Sequence, residues 1–208
     1  MKTRLDAELV RRGLVRSREL AAELISSKLV LVSGIPATKA ATQVDAQTSI
    51  TLKDEGEKYV SRGGFKLNGA LDHFPKIEIS GKSILDAGAS TGGFTDVLLR
   101  RGAKRIYAVD VGYGQMAWEL QSNPKVKVLD RVNIRNISPQ IIVEPVDLVV
   151  ADLSFISLTL VLPALSAVSK PDADFLLMVK PQFEVGREKL GAGGVVRDPI
   201  LRKSAVMD

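Results

Sequence analysis

A glycine-rich run between apolar residues is where a small molecule could lie against the backbone of this chain. Ile84-Leu85-Asp86-Ala87-Gly88-Ala89-Ser90-Thr91-Gly92-Gly93-Phe94-Thr95 reads as a buried strand, a turn and the start of a helix. Glycine is needed in such a turn where a ligand comes so close that a Cβ would obstruct it. The spacing is G-x-x-x-G-G, not the G-x-G-x-x-G of dinucleotide binders, and there is no Gly-Lys-Ser/Thr of a P-loop. No basic residue lies in the turn, which fits a ligand without phosphates. Asp86, Gly88, Ser90, Gly92 and Gly93 are its candidate contacts. Asp110 ends the next strand, 22 residues after Gly88, where a carboxylate can accept both hydroxyls of a ribose. Asp130 follows the third strand and could face an adenine edge. Together these features describe an adenosine pocket. The plainer alternative is a tight turn with solvated acids at strand ends.

Two further charges stand at the ends of apolar strands. Asp152 closes Leu148-Val149-Val150-Ala151, and Lys180 closes Leu176-Leu177-Met178-Val179. An unpaired charge there is costly, so each should have a partner. The pair is either a structural ion pair between neighbouring strands or a lysine general base beside a carboxylate. A lysine is ordinarily charged at neutral pH, with a pKa of about 10.4. It serves as a base only where its surroundings make the proton easy to lose.

The elements that must hold these residues alternate in kind. The pattern predicts strands at Ser83 to Ala87, Arg105 to Asp110, Lys125 to Leu129, Val146 to Asp152 and Asp174 to Val179. Helices are predicted at Gly93 to Arg101 and Leu158 to Ser169, with another from about Gly64 to Phe74. Strand–helix alternation implies a parallel, doubly wound α/β sheet, with ligands at the carboxyl ends of its strands. The first 58 residues have their own pattern. Leu5, Leu9 and Val10 share one helix, which Gly13 stops, and Ser17 caps a second. Leu29 to Val32 is β-rich, Ser33-Gly34 a turn, and Val44 and Ile50 to Leu52 are further short strands. The polar run Lys53 to Lys58 reads as a linker.

Composition narrows the chemistry. The 208 residues are 45% apolar and 25% charged, as in a globular protein. With no cysteine and a single histidine, His73, disulfides, thiolate chemistry and a transition-metal site are not expected. The first residues carry no apolar leader, and no apolar run approaches the roughly 20 residues that span a bilayer. A soluble, cytoplasmic protein without membrane partners is expected. The net charge is +5, and residues 1 to 40 hold eight basic residues against four acidic, which favours a polyanionic partner near that end.

Three segments make a resemblance specific: Asp86 to Thr95, Ala151-Asp152-Leu153-Ser154-Phe155-Ile156-Ser157 and Val179-Lys180-Pro181-Gln182-Phe183-Glu184. With Ser61-Arg62-Gly63-Gly64-Phe65-Lys66-Leu67, they resemble the TlyA, or hemolysin A, family of ribosomal RNA ribose 2′-O-methyltransferases, relatives of the FtsJ methyltransferases. Arg4-Leu5-Asp6, Ser17-Arg18 and Val30 to Gly34 resemble an S4 RNA-binding domain. The resemblance covers essentially the whole chain. It implies an S4-like domain at 1–58, a linker and first helix at 59–81, and an FtsJ-like, Rossmann-type catalytic domain at 82–208. It also implies S-adenosylmethionine as methyl donor and ribosomal RNA or ribosomal subunits as partner.

The family uses a Lys-Asp-Lys-Glu tetrad and no metal. By motif position Lys66, Asp152 and Lys180 supply the first three, with Lys180 as base and the other two tuning and positioning it. The glutamate normally lies nearer the C-terminus. No motif for it is present before Asp208, so the catalytic fold is expected to be C-terminally incomplete by two strands. Family members carry a tryptophan in the linker motif where Tyr59 stands here. For RNA, Arg4 and Arg11 are seven apart, hence on nearly one helix face, and Arg16 and Arg18 stand at the positive end of the second helix. Three rival readings are an NAD-dependent oxidoreductase, an RNA-binding protein with a degenerate catalytic domain, and a membrane-lysing protein.

Overall fold

The computed structural model describes residues 2–52 and 59–207, and the linker expected at Lys53 to Lys58 lies outside the described residues. The chain divides into two compact units, Met1–Lys58 and Tyr59–Asp208.

The first unit begins with strand β1 (Thr3–Arg4), helix α1 (Leu5–Arg11) and helix α2 (Arg18–Ser26). Strands β2 (Val30–Val32), β3 (Ile35–Pro36), β4 (Gln43–Val44) and β5 (Ile50–Leu52) follow. β1 pairs antiparallel with β4, while β2 lies between β3 and β5 in a three-stranded antiparallel sheet. Leu5, Leu9, Val15, Ala21, Ile25, Val30, Val44 and Ile50 form one small core. Ser17 caps α2 as the sequence implies, its Oγ accepting the Leu20 amide at 3.2 Å.

The second unit opens with helix α3 (Gly63–His73), then β6 (Ser83–Ala87), α4 (Gly93–Arg100), β7 (Arg105–Asp110), the short α5 (Trp118–Gln121) and β8 (Val126–Asp130). β9 (Val146–Ala151), α6 (Leu162–Ala167), β10 (Ser169–Leu177), the one-turn α7 (Pro181–Glu184) and α8 (Pro199–Met207) complete it. All five strands run parallel in the order β10-β9-β6-β7-β8. Strand residues alternate between the two faces. Ile84, Ile106, Leu148 and Val150 meet α3 and α4 through Leu67, Leu71, Val97 and Leu98. Leu85, Tyr107, Val149 and Ala151 meet Ile134, Leu158 and Leu165 on the other face.

Two elements depart from the sequence expectation. The helix expected over Leu158 to Ser169 is a 3₁₀ turn (Leu158–Leu160) followed by α6. Pro163 lacks an amide proton and is tolerated only in a first turn, where it stands in α6. Ser169 instead begins β10, which ends at Leu177 rather than Val179 because the chain turns toward the proline-started α7. No helix among the described residues is long and apolar enough to cross a membrane.

Candidate active site

The sheet has its topological switch between β6 and β9: from β6 the chain first builds β7 and β8 on one side, then β9 and β10 on the other. Loops diverge at such a point and leave a crevice beyond the strand ends. Ala87 and Ala151 are register partners there, so Gly88 and Asp152 emerge side by side, and the Asp152 amide donates to the Ala87 carbonyl at 3.2 Å.

The turn after β6 is built for close approach. The amides of Gly88 and Ala89 both donate to the Val109 carbonyl, at 2.9 and 3.1 Å. Gly88 has φ +85°, and a Cβ there would stand 3.0 Å from the Asp152 carbonyl oxygen. At Gly93 a Cβ would collide with Ser61 Oγ and lie 2.9 Å from the Gly64 amide nitrogen, so the N-terminal ends of α3 and α4 abut.

Asp110 lies in the crevice wall. Its Oδ2 accepts the Ser90 amide at 2.8 Å and its Oδ1 the Gly112 amide at 2.7 Å. Each oxygen keeps a lone pair for a ligand hydroxyl. One cavity of about 520 Å³ runs past Gly88, Ser90, Asp110, Asn133 and Leu153 to Phe155. A second, of about 470 Å³, runs past Ser61, Arg62, Lys66 and Gly93, and the two share Gly88, Ser90 and Asp152 in their walls.

Three residues singled out for the pocket line neither cavity: Asp86, Asp130 and Gly92, where a Cβ would meet Leu120 instead. Asp86 is fully buried beneath the turn; Thr95 Oγ1 donates to its Oδ2 at 2.7 Å, and its Oδ1 has no partner. Burial raises its pKa to about 7, against the opposing Thr95 bond and helped by Asp110 and Asp152. Asp130 accepts the Gly114 amide at 2.8 Å and also stands outside both linings, while Asn133 lines the first cavity near the place where Asp130 was expected.

The charged centre joins residues 86 positions apart. Lys66, the fourth residue of α3, donates from Nζ to Asp152 Oδ2 at 2.8 Å. Lys180 Nζ stands 2.6 Å from the other oxygen, Oδ1, and donates to Ser154 Oγ at 2.8 Å. Asp152 and Lys180 are largely covered, at 17% and 19% side-chain exposure, while Lys66 is half exposed at 49%. Burial pushes the Asp152 pKa up, but the Lys180 and Lys66 contacts outweigh it and hold the carboxyl below its ordinary value. The carboxylate is therefore ionised between two amines, and the trio carries an excess positive charge.

Sequence reasoning missed the residues that frame this centre. Phe155 has φ +64°, a backbone conformation rare for an aromatic residue, and its side chain is 91% exposed at the first cavity's mouth. Its ring centroid lies 5.3 Å from that of Phe183. Such strain at a cavity mouth is a mark of functional sites. Glu184 is bonded to Ser157 and Leu158. Phe155, Ser157, Phe183 and Glu184 lie inside the motifs that carry the resemblance, but residue type alone does not say which positions face a cavity. Tyr59 packs on Gly64, where a Cβ would collide with its ring, and lies under Arg100 at 5.0 Å.

In the first unit the arginines are arranged otherwise than expected. Arg4 precedes α1 in extended conformation, so it shares no helix face with Arg11. Nearly buried Asp6 holds Arg4 in a bidentate pair at 3.0 Å and Arg18 at 2.8 Å. Nearly buried Glu8 holds Arg11 and Arg12, at 2.6 to 2.7 Å. Four arginines on two carboxylates leave this patch net positive. Arg12 also ties down the carbonyls of Asp45 and Thr48. Arg16 is exposed and has no ion pair among the described residues.

Comparison with known proteins agrees with this division. The FtsJ-like methyltransferase family model matches residues 59–208, and the S4 domain model residues 3–50. The 16S/23S rRNA (cytidine-2′-O)-methyltransferase TlyA of Mycobacterium tuberculosis is 56% identical over 207 residues, covering 99% of this chain and 77% of that protein. Hemolysin A of Brachyspira hyodysenteriae is 36% identical over 201 residues, covering 96% and 83%. The solved structure of a Streptococcus thermophilus protein described as a hemolysin superposes with a TM-score of 0.72 at 38% identity, covering 99% of this chain and 75% of that one.

Proposed function

Because the chain belongs to the FtsJ-like methyltransferase family, in its TlyA branch with an S4 domain, we propose that it transfers a methyl group from S-adenosylmethionine to the 2′-hydroxyl of a ribose in ribosomal RNA. The observation that carries the reading is Asp152 held between the amines of Lys66 and Lys180, beside the Gly88 turn. The crevice fits the donor: Gly88 leaves the backbone open to it, Asp110 offers carboxylate lone pairs to its ribose, and no phosphate-binding cation lies in the turn. When bound, S-adenosylmethionine supplies a methyl group on a positively charged sulfur and leaves as a neutral thioether.

The chain's own task is alignment and proton removal. Asp152 fixes both amines in place through its two oxygens. Lys180, in its amine form, takes the proton of the ribose 2′-hydroxyl as the oxygen bonds to the methyl carbon. Lys180 lines neither cavity itself; Ser154 Oγ, 2.8 Å from its Nζ, and Asp152 hold the amine against the wall of the first cavity, which both of them line. Phe155 and Phe183 give the mouth an apolar rim suited to the face of a nucleobase. No metal is needed, because an amine does the proton transfer. The S4-like unit, with its positive arginine patch, supplies RNA affinity through phosphate contacts.

Purified protein, ribosomal subunits and methyl-labelled donor test the reading, with methylated riboses mapped on the RNA. Wild-type protein should methylate a ribose, with or without a chelator. Lys180→Ala should lose on the order of 10²–10⁴ in rate while staying folded. Label found on a base, or full activity in Lys180→Ala, would refute it.

A further inference from the structure

Lys180 and Asp152 arise from different strand ends, and only short loops hold them in register. The loop of Asp152 runs to the 3₁₀ turn at Leu158–Leu160, and that of Lys180 runs straight into α7. The two are joined at both ends. At one end stand the Lys180 contacts with Asp152 and Ser154. At the other, the Glu184 carboxylate accepts the Ser157 hydroxyl at 2.6 Å and the Leu158 amide at 3.0 and 3.2 Å. Between them lie the rings of Phe155 and Phe183.

Of the two donors to Glu184, the Ser157 hydroxyl also meets the Thr159 hydroxyl of its own segment at 2.7 Å, while the Leu158 amide has no other partner there. Leu158 opens a 3₁₀ turn and its amide has no partner inside that turn, so the carboxylate acts as a cap supplied from another loop. Bonds to an ionised acceptor are short and strong, and two donors on one carboxylate fix direction as well as distance. The loop so held carries Phe155 in its left-handed conformation, a state that persists only where surrounding contacts over-determine it. The same loop forms the Leu153-to-Ile156 wall of the first cavity.

We propose that Glu184 is a positioning residue for methyl transfer. It clasps the loop of Asp152 and Phe155 to the segment of Lys180, so that amine, carboxylate and cavity wall keep one geometry. The proposal rests on the methyltransferase reading above. Glu184 touches none of the reacting atoms, so its loss loosens alignment and leaves the chemistry available. Misplacement on the scale of an ångström at a reacting centre costs up to about a hundredfold.

The test uses the full chain with Glu184→Ala and Glu184→Gln, rates being expressed per folded molecule from the thermal transition. Glu184→Ala should lower kcat about tenfold and raise the KM for the methyl donor several-fold, with the KM for RNA within about twofold of wild type. Glu184→Gln keeps one acceptor oxygen and should fall between. Hydrogen exchange read at Leu158 should quicken in Glu184→Ala, while the core amides of β6 stay protected. A merely structural role would lower the melting temperature and leave kcat per folded molecule unchanged; that result overturns the proposal, as does unaltered exchange at Leu158. If the wild-type protein methylates no RNA, the function falls, and Leu158 exchange still decides whether the clasp exists.

Discussion

A carboxylate flanked by two amines holds more positive charge than it can balance, and that imbalance is what the Lys66–Asp152–Lys180 cluster offers to chemistry. A single structural ion pair needs only one lysine. Asp86 shows the opposite condition: a carboxyl with one hydroxyl donor, an unpartnered oxygen and no cation. Its pKa is raised from 3.8 to about 7 by burial, so the folded state prefers the protonated form. Stability from this group is full below its ordinary pKa and is lost as pH rises through about 7, where the folded protein must hold a buried charge. In Asp86→Asn, the melting temperature of the second unit should therefore decline less between pH 6 and about pH 8 than in wild type. An equal decline in both proteins would remove Asp86 as the cause.

At the scale of elements, the site depends on two helices meeting end to end. α4 starts on the turn after β6, and α3 brings Lys66 to Asp152 only because Gly63 and Gly64 reach Gly93 without side chains between them. Gly93→Ala would drive a methyl group into Ser61 Oγ and the Gly64 backbone. Overpacking of this kind costs roughly 1–3 kcal/mol. The variant should melt at lower temperature, and its affinity for S-adenosylmethionine, measured by calorimetry, should fall because α3 moves off the turn. Unchanged affinity would show that the approach is not needed for the donor. β6, β7 and β9 were plain in the sequence because continuous apolar runs bounded by Gly and Asp are a local signal. The split of 158–169 into a 3₁₀ turn and α6 was not, because Pro163 suits the start of one helix as well as the interruption of a longer one.

For the whole molecule, the two units should respond to pH in opposite directions. In the first, bonds from Arg4 and Arg18 hold Asp6 well below the usual carboxylate range, and those from Arg11 and Arg12 lower Glu8 from 4.5 to about 2. Depressed carboxylates stabilise above their ordinary pKa, and that contribution is lost as pH falls from about 4.5 toward 2. Protection of the amides of Leu5, Leu9 and Ile25, taken relative to the intrinsic exchange rate at each pH, should therefore fall in acid, where protonated Asp86 is no burden to the second unit. Protection that survives unchanged at pH 3 would contradict this. Binding to ribosomal RNA should weaken with salt, and Arg16→Ala should lower the slope by about one ion, since Arg16 has no carboxylate partner among the described residues.

The sequence by itself determined the kind of protein this is. Strand–helix alternation, the Gly88-to-Gly93 turn, Asp110 and the motifs around Asp152 and Lys180 are short-range patterns, and backbone hydrogen bonding and hydrophobic periodicity act over the same short range. Only the tertiary structure decided which residues meet. Lys66 reaches a carboxylate 86 positions away, Glu184 clasps a distant loop, Asp86 sinks beneath the turn it was expected to line, and Arg4 leaves the helix face assigned to it for a pair with Asp6. The physical reason is that side-chain pairing and burial depend on where strands change order in the sheet and how closely helices approach, and neither is written in the spacing along one segment.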